Sequence, residues 1–340
     1  MNTQWVPKWL GQGQSLPPGL LVRTGKWTWT TMWRLMMAQL APPDPTGAYQ
    51  RPPSQFRHRI QTGAPTRYQL LVGMSCPWAH RTLVTRALKG LEAVIPVTVV
   101  VPVGDAGVWG FATPLNGCST LPEFYRQCQP GYRGRSTVPV LWDTETGRIV
   151  NNESAEVIEI LNAAFEPWAK PIDLYPAALK SEIDQWNQHI YSTLNNGVYR
   201  CGFAQTQIAY ELACTELFRT LDQLEQTLAS RRYLCGAQLT LADVRLFTTL
   251  IRFDVAYYGL FKCNRRRLQD YPHLSGYLRD LYQQPGVADT CDLAAVKRDY
   301  YGNLFPLNPG GIIPLGPELP DLNLPHGREG LGASADGEAA

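Results

Sequence analysis

The sequence predicts an α/β domain followed by an all-helical domain. Three observations lead there. Strand and helix signals alternate between residues 67 and 166, strand signals vanish beyond Pro176, and apolar residues then recur only at helical spacing. A chain of 340 residues also has the length of two domains of ~100–200 residues each.

Taken in order, residues 1–66 are rich in Pro, Gly, Gln and Trp and read as an extended arm laid over the domains. One helix is expected near Thr30–Leu40, stopped by Ala41-Pro42-Pro43-Asp44-Pro45, since a residue before proline is disfavoured in helix. Trp5, Trp9, Trp27, Trp29 and Trp33 are expected to anchor the arm, because exposed apolar patches are a liability. Tyr68–Met74 reads as a buried strand and Pro77–Gly90 as a helix stopped at glycine. Val94–Val103 is β-branched and reads as a second strand. Thr137–Trp142 and Arg148–Asn151 flank the turn-rich Asp143–Gly147 as a hairpin, and Glu153–Phe165 reads as a helix. Strand–helix–strand, a loop, then strand–strand–helix is the thioredoxin-like arrangement, parallel in its first half and antiparallel in its second.

In the second domain, 176–296, Ile183, Trp186, Ile190 and Leu194 share one helix face. So do Leu217, Leu221, Leu224 and Leu228, and again Val244, Phe247, Ile251 and Val255. Thr240 and Asp243 form a capping box before the last stripe. Residues 297–324 read as an ordered tail, and the small, polar stretch 325–340 as disordered.

Composition narrows the function classes. Hydrophobic residues at 44% and charged residues at 18% describe a globular chain, and a net charge of +2 argues against a nucleic-acid partner. The single dense basic run, Arg265-Arg266-Arg267, reads as solvated. No stretch approaches the ~18 apolar residues of a membrane span. The early prolines and glycines break any signal-peptide pattern, so a cytoplasmic setting is expected. There the eight cysteines stay reduced. They lack a C-x-x-C pair or clustered Cys/His spacing, so no metal site is expected.

The chemistry concentrates in Ser75-Cys76-Pro77-Trp78-Ala79-His80, at a strand end and a helix start. Proline at the first helical position has its φ preset and sacrifices no hydrogen bond. Cys76 then sits at the N-cap, where free amides and the helix dipole favour a thiolate and should lower the thiol pKa. Ala79 stands where a dithiol enzyme would carry its second cysteine. A mixed disulfide at Cys76 must therefore be resolved by an external thiol, of which glutathione is the abundant one. His80, four residues on, falls on the helix side that can face Cys76, but reads first as a structural or hydrogen-bonded histidine. Val138-Pro139 precedes the third strand, where a cis bond would turn the Val138 backbone toward a peptide-like ligand. Asn152-Glu153-Ser154 opens the next helix, where amides, the Ser154 hydroxyl and Glu153 suit a γ-glutamyl group, although a simple helix cap accounts for the same residues.

With these motifs in order, the chain resembles the glutathione transferase superfamily, and within it the glutathionyl-hydroquinone reductases, or xi class. Cys76-Pro77-Trp78-Ala79-His80-Arg81-Thr82-Leu83 with Lys89-Gly90-Leu91-Glu92 carries the resemblance most specifically. Thr137–Asp143, Ile149–Ser154, Gly197-Val198-Tyr199, Phe253-Asp254, Phe261–Asn264 and Asn308-Pro309 extend it from about Ser54 to Pro317. The resemblance implies a glutathione transferase fold and glutathione-dependent reduction of glutathionyl-hydroquinones through a Cys76–glutathione mixed disulfide. It implies that Trp109, Arg135, Val138, Glu153 and Ser154 hold glutathione, and that Tyr199 and Tyr300, joined by Tyr301, border an aromatic site. It also implies a homodimer formed through the helical domain. Asp299 before the tyrosine pair, Gly302-Asn303-Leu304 after it, and Leu260 depart from the family pattern and bear on the aromatic substrate more than on the thiol. Two other readings remain: an omega-like thiol transferase or dehydroascorbate reductase, and a non-catalytic glutathione-binding module.

Overall fold

The computed structural model describes residues 19–104 and 107–331. A helix α1 (Gly19–Leu40) precedes a six-stranded sheet and a helical body. The sheet comprises β1 (Tyr68–Val72), β2 (Val97–Val103), β3 (Val108–Leu115), β4 (Cys118–Thr120), β5 (Val140–Asp143) and β6 (Arg148–Asn151). Its order is β4-β3-β2-β1-β5-β6. β1 and β2 are parallel, with Leu71 opposite Thr98, and the other neighbours are antiparallel. A parallel pair needs a crossover, and α2 (Pro77–Leu88) supplies it. Every residue of α2 except Arg86 is buried, because the helix lies between the sheet and the helical body. Ala79 and Leu83 join the sheet core while Val84 and Leu88 join the helical core. α4 (Ser154–Ala163) packs beside it.

The sheet is larger than the sequence reading proposed. The stretch taken as a loop holds β3, β4 and α3 (Leu121–Cys128). Gly110 and Pro114 mask the strand signal in β3. The α3 signal was present in the Thr120–Glu123 spacing: Glu123 Oε2 accepts from the Ser119 and Thr120 amides at 2.8 and 3.0 Å. Phe124 of α3 meets Phe111 and Trp142 edge-on, closing that face of the sheet.

The helical body comprises α5 (Lys180–Ile190), α6 (Gly197–Gly202), α7 (Gln207–Leu228), α8 (Leu241–Arg252), α9 (Tyr258–Leu260), α10 (Pro272–Tyr282) and α11 (Leu293–Asn303). π-helical turns at Tyr191–Asn195 and Phe253–Tyr257 join α5 to α6 and α8 to α9. Such turns rotate the following side chains off the regular helical face, often at functional sites. Here they precede Tyr199 and hold Tyr257. The capping box at α8 is deeper than its spacing suggested. The fully buried Asp243 accepts from the Thr240 amide and hydroxyl, the Leu234 amide and the Tyr277 hydroxyl.

Both ends differ from expectation. The arm is helical from Gly19, well before Thr30, and stops at Leu40 ahead of the proline cluster. Trp33 anchors it, donating from Nε1 to the Pro306 carbonyl at 2.9 Å, and the part-exposed Trp29 packs edge-on against Phe305, but Trp27 is exposed rather than anchoring. Trp5 and Trp9 lie outside the described residues. At the other end, the first part of the stretch expected to be disordered is docked. Arg328 is buried and donates to the carbonyls of His273 and Arg232, at 3.4 and 3.0 Å, and to that of Arg231. A buried guanidinium feeding peptide carbonyls offsets the entropy of ordering a polar tail. Residues 332–340 lie outside the described residues. Of the basic run read as solvated, Arg265 and Arg266 are exposed and Arg267 is half-buried, and their guanidinium groups lie over Phe218, Tyr271 and Tyr258.

Candidate active site

Cys76 is the N-cap residue of α2, with φ −77° and ψ 119°, and Pro77 opens the helix. The helix-start amides of Ala79 and Trp78 and the guanidinium groups of Arg51 and Arg252 favour the thiolate, although no amide makes a cap hydrogen bond to the sulfur. Burial opposes them and prevails, so the thiol is pushed up rather than down from its ordinary value. The helix terminus alone predicts a lowered thiol, and the depth of the cleft reverses that expectation. The Cys76 Sγ donates to the Val138 carbonyl at 3.7 Å, across from the cis Val138–Pro139 bond.

The turn that presents Cys76 is pinned by a residue the sequence reading did not select. Arg252, at the end of α8 and 2% exposed, donates to the carbonyls of Ser75 and Met74 at 3.0 Å each. It also donates to His80 Nδ1 at 2.8 Å. His80 Nε2 lies 2.8 Å from Thr290 Oγ1, so both ring nitrogens are engaged away from the sulfur. Burial and the Arg252 charge push His80 well below its usual range and hold it neutral. The histidine is a strut between domains. A charged residue ending an otherwise apolar stripe, Arg252 after Ile251, was the available sign of this link.

Cys76 opens into a cleft of about 740 Å³. Trp109, Arg135, Val138 and Tyr199 line it, as does Arg51 from the segment after α1. Trp109 sits close because Gly73 has no side chain; a Cβ there would meet its ring at 2.6 Å. Glu153 and Ser154 stand behind the wall. Glu153 caps α4 by accepting from the Ala155 amide at 3.2 Å and takes a 2.9 Å bond from the Ser54 hydroxyl. Ser154 is buried and receives Arg81 Nη1 at 3.3 Å. Arg81, lowered to about 9 by burial, also donates to Asn195 at 2.8 Å and ties both domains to the start of α4. Among the described lining residues there are three arginines, Arg51, Arg133 and Arg135, and no carboxylate.

The far wall is aromatic. Trp78 stacks on Tyr199 with centroids 6.3 Å apart, and the Arg51 guanidinium lies 4.0 Å over the Trp78 ring. Tyr199 Oη is 2.6 Å from Tyr300 Oη, which is 3.2 Å from Tyr257 Oη. Tyr300 thus reaches the cleft only through Tyr199. Burial first, then the neighbouring tyrosines, pushes Tyr199 and Tyr300 well above the usual phenol range, so both are neutral donors. Tyr257 was not singled out from sequence because its placement depends on the π-helical turn. Tyr301 is buried with its hydroxyl against Gly259, and its carbonyl accepts from Asn308 at 2.7 Å. Of the departures in the tail, Leu304 lines the cleft, and Asn303 donates to the Asp299 carbonyl at 3.1 Å.

Residues 75–164 match the N-terminal domain of the glutathione S-transferases and residues 207–280 their C-terminal domain. The glutathionyl-hydroquinone reductase PcpF of Sphingobium chlorophenolicum is 48% identical over 291 residues, covering 82% of this chain and 93% of that protein. The glutathione-bound structure of YqjG, a glutathione transferase homologue from Escherichia coli K-12, is 45% identical with a TM-score of 0.77, covering 81% of this chain and 96% of that one. The glutathione S-transferase Xi from Phanerochaete chrysosporium is 43% identical with a TM-score of 0.79, covering 83% and 96%.

Proposed function

From the premise that this chain belongs to the glutathionyl-hydroquinone reductases, the xi class of glutathione S-transferases, we propose that it reduces glutathionyl-hydroquinones with glutathione as co-substrate. One observation carries the reading: a monothiol at a helix N-terminus shares a cleft with Tyr199, the outermost of a hydrogen-bonded chain of phenols. The first supplies a nucleophile and the second supplies protons to carbon.

In the proposed sequence the Cys76 thiolate attacks the sulfur of the glutathionyl-hydroquinone. An S–S bond forms to glutathione, the ring C–S bond breaks, and its electron pair leaves on the ring carbon. Tyr199 gives that carbon a proton and is resupplied through Tyr300 and Tyr257. A second glutathione thiolate attacks the Cys76–glutathione disulfide, releasing glutathione disulfide and the Cys76 thiolate. The net change is two-electron reduction of the ring carbon against oxidation of two glutathione sulfurs. The cleft arginines suit the two carboxylates of glutathione. Trp109, Arg135 and Val138 are proposed to hold it directly, with Glu153 and Ser154 at the α4 N-terminus. A metal has no part in these steps. A reducing, glutathione-rich compartment such as the cytoplasm is the proposed setting, and a homodimer through the helical domain the proposed assembly.

The test is glutathione-dependent turnover of glutathionyl-menadiol by the purified protein, with Cys76→Ala beside it. The reading expects turnover in the first and none in the second, with a glutathione adduct on Cys76 seen by mass spectrometry. Equal turnover in the variant rejects the nucleophile. Faster turnover of dehydroascorbate than of the quinol conjugate rejects the substrate class.

A further inference from the structure

The N-terminal helix has a face that the proposed reaction does not use. Over α1 the exposed side chains include Leu20 and Trp27, each 70% exposed, and Leu35 at 65%, with Leu21 and Met32 also more than half exposed. Leu20, Trp27 and Leu35 recur at spacings of seven and eight, so they form one stripe along the helix. Residues 19–32 are exposed on every side, and the opposite side meets the body only in the last turns, through Trp33, Met37 and Leu40. By helical spacing Arg23 and Arg34 flank the stripe beside Trp27, while Lys26 falls on the Trp33–Met37 side in the turns where every residue is exposed, and α1 holds no acidic residue.

The bias continues in the sequence around the helix. No Asp or Glu occurs before Asp44, whereas Lys8, Arg23, Lys26 and Arg34 do, and five of the ten tryptophans lie in this stretch. The net positive charge of the whole chain, +2, therefore originates here. A soluble partner surface would need an acidic groove matched to one helix face. A bilayer with anionic headgroups needs only exposed apolar side chains, flanking cations and interfacial tryptophans. Neither α1 nor any other described helix is long and apolar enough to cross a membrane. We infer that α1 is an interfacial helix that lays its Leu20–Trp27–Leu35 stripe on an anionic lipid surface.

The placement has a geometric consequence. α1 runs through Leu40 and Tyr49 to Arg51, all of which line the cleft, and Trp29 meets Phe305 next to the cleft residue Leu304. By helical spacing Trp29 and Leu40 lie on the side of α1 opposite the stripe, so the helix itself stands between a bilayer and the cleft lining. The inference stands on the helix and does not depend on the reaction.

Vesicle co-sedimentation of the full chain tests it, comparing phosphatidylcholine with phosphatidylcholine containing roughly one-third phosphatidylglycerol. Each cation near the surface multiplies partitioning by roughly fivefold, so three give about a hundredfold preference for the anionic vesicles, weakened by salt. The triple variant Arg23→Gln/Lys26→Gln/Arg34→Gln is expected to lose that preference. Leu20→Ser/Trp27→Ser/Leu35→Ser is expected to lose binding altogether, with turnover of a water-soluble conjugate unchanged as the control for folding. The inference is overturned by absence of binding to anionic vesicles, or by binding that survives both variants. A concentration-dependent dimer abolished by the apolar variant, without vesicle binding, also overturns it, because a second copy then covers the stripe.

Discussion

The hydroxyls of Tyr199 and Tyr300 lie 2.6 Å apart, and only Tyr199 faces the cleft. In the proposed reaction one phenol meets the ligand while the second fixes its hydroxyl and feeds it a proton. Tyr257, at 3.2 Å from Tyr300, extends the relay toward the buried side. Neither outer tyrosine touches Cys76 chemistry directly, which separates the two halves of the proposed reaction.

That separation is measurable. Tyr300→Phe should reduce quinol turnover by roughly 10- to 100-fold, less than the ~10²–10⁴-fold of a fully lost acid–base group, since Tyr199 retains its own proton. Formation of the Cys76–glutathione adduct from glutathione disulfide should stay within about twofold of the parent. Rapid-quench measurement of both steps decides the point. An equal loss in both would show that Tyr300 supports the fold of the cleft instead.

Arg51 stacks on Trp78 at 4.0 Å and is one of the charges that favour the Cys76 thiolate. Because burial pushes this thiol up, the free enzyme should alkylate with a pH midpoint above the ordinary ~8.5 of a thiol. Arg51→Gln removes a positive charge that stabilises the anion, so the midpoint should move further up. Iodoacetamide modification followed against pH reads both. A midpoint below 8.5 in the parent, or a downward move in the variant, contradicts this electrostatic account.

Asp243 concentrates four donors on one carboxylate that is wholly buried: the Thr240 amide and hydroxyl, the Leu234 amide and the Tyr277 hydroxyl. Asp243→Ala leaves all four without an acceptor and should cost about 3–5 kcal/mol. Asp243→Asn keeps one acceptor oxygen and should cost less. Urea unfolding of the two variants checks the order, and the Asn variant remains informative where the Ala variant does not fold.

The sequence made the scaffold readable where local chemistry repeats. β6 and the start of α2 fall where the turn residues and the Cys76-Pro77 pair place them, and the stripes of α5, α7 and α8 follow their leucines and isoleucines. Val138, Trp109, Arg135 and Tyr199 surround Cys76 in one cleft. What escaped depends on long-range packing. β3 is recognisable only beside β2, with Phe111 opposite Val100, because its own glycine and proline read as breaks. Arg252 reaches back to Ser75 across 177 residues, a bond no local pattern encodes. Nor does helix-end chemistry reveal depth. The same Cys76 amides that favour a thiolate sit in a cleft whose burial outweighs them.

His80 gives the fold a pH response of calculable sign. Its pKa lies well below the usual 6.5 because it is buried beside Arg252, so the native protein keeps it neutral where the unfolded chain takes up a proton. Below about pH 6.5 the unfolded state therefore binds more protons than the native state at this site, and stability falls as pH falls. Above that pH both states are neutral and the contribution is level. One such group changes stability by at most about 1.4 kcal/mol per pH unit. His80→Gln can keep a bond to Thr290 and does not titrate. It should be less stable than the parent at pH 7.5 and lose the gap progressively as the pH falls through ~6.5 toward 5.5. Urea-unfolding free energies of the two proteins across that window decide the point. A gap that stays constant would mean that His80 titrates alike in both states and is not the neutral strut between Arg252 and Thr290 described above.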